Sequence, residues 1–117
     1  MTCFWDGLRK GLNINKSNSE FIIYLKSNNT NDLDIICCDC NLSKKQLDEN
    51  FQHIKEYDEN SINNGYDCST CDPFLILISH LYNININHNY NGYMIKYINN
   101  AECNTILFQS NSNHFWY

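Results

Sequence analysis

A chain of 117 residues has room for one hydrophobic core and not for two, so a single domain over residues 1–117 is expected. Apolar residues make up 43% and aromatics 14%, enough surface to offset chain entropy, which argues against a disordered tail. The formal charge of −5, with Arg9-Lys10 and Lys44-Lys45 as the adjacent basic pairs, argues against nucleic acid, and the longest apolar run, Phe74 to Ile78, is too short to span a bilayer.

In chain order, Phe4, Trp5, Leu8 and Leu12 share one helical face, which predicts a helix over 3–12 with Thr2 as its cap. Residues 20–27 form a short apolar run read as helix rather than strand, and 33–38 (LDIICC) fit either a strand or a short buried helix. The stripe Leu42, Leu47, Phe51, Ile54 and Tyr57 predicts a second clear helix, with Ser43 as cap and Gln46 completing a capping box. Asn63-Asn64-Gly65 reads as a turn. Asp72-Pro73 then reads as cap and first position of a helix over 73–82, apolar nearly all round and so central and buried. Alternating residues at 84–88 and 92–98 flank the strongest hairpin signal in the chain, and 104–109 and 114–117 are strand-like around a polar turn. Helices followed by an antiparallel meander give an α+β domain with a small antiparallel sheet.

Two distant residues carry the most suggestive chemistry. A thiol at a helix start gains from unpaired N–H groups and the helix dipole, which favour thiolate, and Cys3 stands at such a start. A neutral imidazole within reach would complete a nucleophilic pair, and His114 opens the last strand after a polar turn. The residues alone leave open a plainer account, in which Cys3 is a small buried apolar group and His114 an ordinary turn histidine.

Three blocks then resemble, in family order, the papain-like OTU (ovarian tumour) family of deubiquitinating cysteine peptidases. They are Cys3-Phe4-Trp5-Asp6-Gly7-Leu8, the helix from Asp72 to Tyr82 running into Asn83-Ile84-Asn85-Ile86, and Thr105-Ile106-Leu107-Phe108 through Asn111-Ser112-Asn113-His114-Phe115. The resemblance implies a papain-like fold, Cys3 as nucleophile, His114 as base and then acid, and ubiquitin or a ubiquitin-like protein as partner. The chain departs from the family in two places. The Asp-Gly-Asn-like run usual before the nucleophile is not there, since Met1 and Thr2 precede Cys3. Trp116 stands two residues after the histidine, where many members place Asn or Asp. Asp6, Asn111 and Asn113 are therefore the candidates for orienting the imidazole or for the oxyanion environment. A catalytically inactive OTU-like interaction module is the alternative that these departures keep open.

Seven cysteines is an odd number, several in apolar company and with no secretory signal ahead of them, which fits a reduced cytoplasmic protein better than a disulfide framework. Cys37-x-x-Cys40 and Cys68-x-x-Cys71 have the spacing of two halves of a four-thiolate zinc site, giving a small zinc-stabilised binding domain as a further alternative. The apolar run around Cys37 and a turn near Asp72 account for the same residues without metal, and a redox motif would want a thioredoxin-like context that is not found. No cofactor is expected. His80 is expected in the core or at its boundary, His53 on an exposed helix face, and His88 at the surface of the hairpin. The excess of Asn and Ile reflects AT-rich codons, as in a large DNA virus, host cytoplasm or virion included, or an AT-rich protist.

Overall fold

The computed structural model describes residues 3–58, 68–100 and 102–117; the side chains of residues 68–71 lie outside that description, as do the expected cap at Thr2 and turn at 63–65. Helix α1 runs Cys3–Leu12 as its stripe predicts, burying Cys3, Phe4, Trp5, Gly7 and Leu8. It stops at Asn13, whose left-handed φ of 56° suits asparagine. Helix α2 covers Asn18–Ser27, so the ambiguous apolar run is helical. Ser17 and Glu20 form a full capping box there: the Glu20 N–H donates to Ser17 Oγ and the Ser17 N–H to Glu20 Oε1. The 33–38 segment yields only a short strand β1, Ile36–Cys37, turning back through Cys38 and Asp39 (φ 54° and 64°) into β2, Cys40–Asn41. Helix α3, Lys44–Glu56, begins at the capping box expected from Ser43 and Gln46.

Helix α4, Cys68–Tyr82, starts well before Asp72, with Pro73 inside it rather than at its first position. Pro73 removes one N–H from the helical ladder there. Asp72 does not cap the helix; its carboxylate accepts a hydrogen bond from the Tyr97 hydroxyl. The stretch from Phe74 to Ser79 is buried, as expected of the central helix.

Strand β3, Asn85–Tyr90, and β4, Tyr93–Ile98, form the expected hairpin. Its two-residue turn, Asn91-Gly92, has positive φ at both positions (50° and 89°), which only such residues adopt readily. Strand β5 is Thr105–Ser110 and β6 Phe115–Trp116.

The sheet order is β2-β1-β4-β3-β5-β6, and here the expected antiparallel sheet is corrected to a mixed one. A meander would set β5 against β4, but β1 already pairs with that edge, Ile36 opposite Ile98 and Cys37 opposite Tyr97. Strand β5 therefore lies on the far side of β3 and parallel to it, Asn85 opposite Thr105 and Tyr90 opposite Ser110. The connection must cross the head of β3, where buried Asn85 holds it. Its Nδ2 donates to the carbonyls of Asn100 (2.7 Å) and Cys103 (3.4 Å), and its Oδ1 accepts from the N–H groups of Asn99 (2.8 Å) and Asn100 (3.2 Å).

The result is a compact α+β fold of four helices and a six-stranded mixed sheet among the described residues. Helix α4 packs on β3 and β4, and α1 on β5 and β6. The buried apolar side chains form one cluster, in which Trp5 meets Phe21 and Phe74 edge-on while Phe115 meets Phe4 edge-on and stacks on Phe108. No described helix is long and apolar enough to cross a membrane.

Candidate functional site

Cys3, Gly7 and Gly11 fall at i, i+4 and i+8 on α1, one stripe of one face. The two glycines decide how closely this face approaches the sheet. A Cβ at Gly7 would sit 2.9 Å from Phe115 Cδ1 and one at Gly11 2.6 Å from Phe108 Cε1, so any side chain would hold α1 away from β5 and β6. With glycine in both places the helix lies directly on the last two strands, and Cys3, at the head of the stripe, comes down beside the entry to β6.

That entry is shaped by Asn111. Its Oδ1 accepts from the N–H groups of Asn113 and His114, both at 2.9 Å, and its own N–H donates to the His114 carbonyl at 2.9 Å. The turn fixes the backbone of His114 just before β6 pairs with β5. Helix and turn then share one open cleft of about 460 Å³, lined by Cys3, Asp6, Gly7 and Lys10 from α1 and by residues 114–117. Cys3 keeps only 9% of its surface exposed, whereas His114 is exposed. The His114 ring stacks on Trp116, centroids 5.6 Å apart and planes 19° apart.

The structure thus brings the expected thiol and imidazole to the walls of one cleft, although they come from the first helix and the last strand. The three residues named as orienting candidates fare differently. Asp6 lines the cleft, but its Oδ1 is engaged by Arg9 Nη2 (3.2 Å) and Asn18 Nδ2 (3.0 Å), a contact that ties α1 to α2. Asn111 orients the backbone of His114 and not its ring. Asn113 is exposed and lies outside the cleft lining.

The other cysteine set has a different setting. Cys37 and Cys40 face each other as register partners across the β1–β2 turn, and Cys38 Sγ lies 3.8 Å from Cys37 Sγ. Burial pushes the Cys37 thiol up to about 12, helped by the hydrogen bond and charge of Cys38 and by the charges of Asp72 and Cys40. Cys68 and Cys71 fall in the first turn of α4, where their side chains are outside the described residues. Among the described residues no group of three or more His, Cys, Asp or Glu side chains is placed to hold a metal ion. The pairing of Cys37-x-x-Cys40 with Cys68-x-x-Cys71 therefore has geometry for its first half only.

His88, expected at the surface, is instead buried, with 2% of its surface exposed. Its Nε2 is 2.6 Å from Ser110 Oγ on the neighbouring strand, and its Nδ1 has no hydrogen-bond partner among the described residues. The ring lies 5.4 Å from that of Phe115, a residue that lines the cleft. Burial lowers its pKa below the ordinary value, with the charge of Asp72 opposing. The signal was in the alternation: His88 shares its strand face with Ile86, which is fully buried. His53 is exposed and His80 half-buried, as expected.

Comparison of the chain with protein-family models, with curated proteins and with solved structures finds no match.

Proposed function

We propose that Cys3 and His114 are the nucleophile and the general base of a cysteine peptidase acting on peptide or isopeptide bonds after the ubiquitin C-terminus. The observation that carries this reading is the common cleft: two residues from opposite ends of the sequence line one opening, in an approach that depends on Gly7 and Gly11. The position of Cys3 in the first turn of α1 adds support, because the N–H groups of a first helical turn have no partners inside the helix. Such N–H groups are the donors that the oxyanion of a tetrahedral intermediate calls for. The finer fold assignment, papain-like of the OTU type, belongs to the same proposal, as does a reducing cytoplasmic setting for the thiol.

In the reaction, His114 takes the Cys3 proton and the sulfur bonds to the carbonyl carbon. The C–N bond then breaks as His114 returns the proton to the departing amine, leaving a thioester. A water, deprotonated by His114, attacks that thioester, and the sulfur leaves with the proton restored. Ubiquitin as the acyl group follows from the OTU resemblance; the aromatic and charged lining of the cleft is compatible with a peptide tail.

The test is covalent labelling by a ubiquitin carrying a C-terminal electrophile, read by intact mass. Wild type is expected to form one adduct, Cys3→Ala none, and His114→Ala to react about 10²–10⁴-fold more slowly, the usual worth of a positioned base. Absence of an adduct on folded wild-type protein at high probe excess would remove this activity and favour the catalytically inactive interaction module.

A further inference from the structure

The imidazole of a thiol–imidazole pair needs something to hold its plane. Asp6 Oδ1 is engaged by Arg9 and Asn18, and Asn111 Oδ1 by two backbone N–H groups. The His114 ring makes an aromatic contact, a near-parallel offset stack on Trp116. We propose that Trp116 is the positioning residue of the site, holding the His114 ring toward Cys3 by stacking where a hydrogen-bonded side chain would otherwise do so. The inference rests on the Cys3–His114 reading and names the part that this reading leaves open.

Three features support it. His114 and Trp116 are two residues apart entering a strand, so their side chains leave the same side of the backbone. Trp116 is itself anchored: its backbone pairs with Gln109 of β5, and its neighbour Phe115 is buried against Phe4 and Phe108. Trp116 is exposed and lines the same cleft as Cys3 and His114. A platform fixed in this way limits rotation of the imidazole, since turning the ring out of plane gives up the stack. Its electron-rich face also attracts the imidazolium that exists after His114 has taken the Cys3 proton, so the same contact favours the charged intermediate.

The experiment compares wild type with Trp116→Phe, Trp116→Leu and His114→Ala, each checked for folding by circular dichroism. The saturating rate of adduct formation with the ubiquitin electrophile and its half-saturating concentration are measured separately. Phenylalanine keeps a ring under the imidazole, and leucine keeps apolar cover without one. The expected result is that Trp116→Phe stays close to wild type. Trp116→Leu should lose about three- to tenfold in the saturating rate, the size of one ring–ring contact, with the half-saturating concentration unchanged. Equal rates for the Phe and Leu variants would overturn the positioning role, and so would a loss confined to the half-saturating concentration.

A spectroscopic readout keeps this inference separate from the reading beneath it. The chain has two tryptophans, Trp5 and Trp116, so the emission of Trp116 is the difference between wild type and Trp116→Phe. Protonated imidazole quenches a stacked indole. Quenching of the Trp116 emission on acidification, abolished in His114→Ala, is expected from the contact, and its absence would overturn the stack. If the quench is present but His114→Ala labels as fast as wild type, the Cys3–His114 reading fails instead.

Discussion

Asn85 offers two donors and two acceptor positions and is buried to 5% exposure, a setting in which every polar atom has to be matched. It is matched by the backbone of the segment it supports, through bonds to Asn99, Asn100 and Cys103. Its own N–H donates to the Asn104 carbonyl at 2.8 Å, so main chain and side chain grip the same loop. A second asparagine extends the tie: Asn99 Nδ2 donates to the Ser79 carbonyl at 2.9 Å, linking the crossing to α4. Asn85→Ala would leave the N–H groups of Asn99 and Asn100 without their acceptor. The expected loss is about 1–3 kcal/mol of stability by chemical denaturation, chiefly from the N–H of half-buried Asn99 left unpaired, since exposed Asn100 can turn to water. Asn85→Asp keeps an acceptor for both and should lose less. Equal losses for the two variants would place the effect in the donor bonds to Asn100 and Cys103.

Among the elements, the α1 stripe is where small size matters most. Alanine is the better helix former by about 1 kcal/mol, so at an exposed site Gly11→Ala would stabilise the protein. Here the added Cβ meets the Phe108 ring at 2.6 and 2.8 Å, and Phe108 is fully buried with nowhere to go. Overpacking of this kind costs about 1–3 kcal/mol, so the expected outcome is a net loss of up to about 2 kcal/mol in denaturant melts. A gain would mean that α1 can lift from the sheet freely. Elements with local signals were legible in the chain. The stripe of α1, the Ser43–Gln46 box of α3 and the Asn91-Gly92 turn each depend on neighbours a few residues away. The box of α2 was equally local, Ser17 and Glu20 standing in the sequence, and would have settled the type of the 20–27 run. The start of α4 misled because Asp-Pro is a strong local opening, whereas the tertiary contact with Tyr97 uses Asp72 otherwise. The parallel placement of β5 had no local signal, since it depends on β1, distant in sequence, occupying the edge of β4. The site divides the same way. Cys3 and His114 could be nominated from their local settings, and the stack of His114 on Trp116 is equally local, two residues apart, but the close approach through Gly7 and Gly11 is a product of tertiary packing.

For the molecule as a whole, pH acts through His88. Burial favours its neutral form, so its folded pKa lies below the ordinary value of 6.5, and the charge of Asp72 only partly opposes this. Below the unfolded pKa the unfolded chain therefore binds a proton that the folded protein resists. The stability contributed by neutral His88 is complete above about pH 6.5 and is lost as pH falls through the lower, folded value. The melting temperature of wild type should fall between about pH 7 and pH 5 more steeply than that of His88→Gln, which has no proton to gain in this range. Parallel curves would assign the acid sensitivity to other groups. Because His88 bonds to Ser110 and its ring lies beside that of Phe115, the strain of protonation should first be felt at the end of β5 and at β6.

The Asn91-Gly92 turn also bears on how the protein ages. Asparagine followed by glycine is the pair most prone to deamidation, because the glycine nitrogen is unshielded and can attack the preceding amide to close a succinimide. In the fold that nitrogen is occupied: the Gly92 N–H donates to Asn89 Oδ1 at 2.9 Å, and the Asn91 N–H donates to the Ser110 carbonyl at 2.8 Å. Attack by the Gly92 nitrogen on the Asn91 amide carbon would require its bond to Asn89 to open and the turn to change shape. The folded hairpin therefore shields its own weakest covalent link, and isoaspartate at position 91 would accumulate as a chemical record of the time each molecule has spent unfolded.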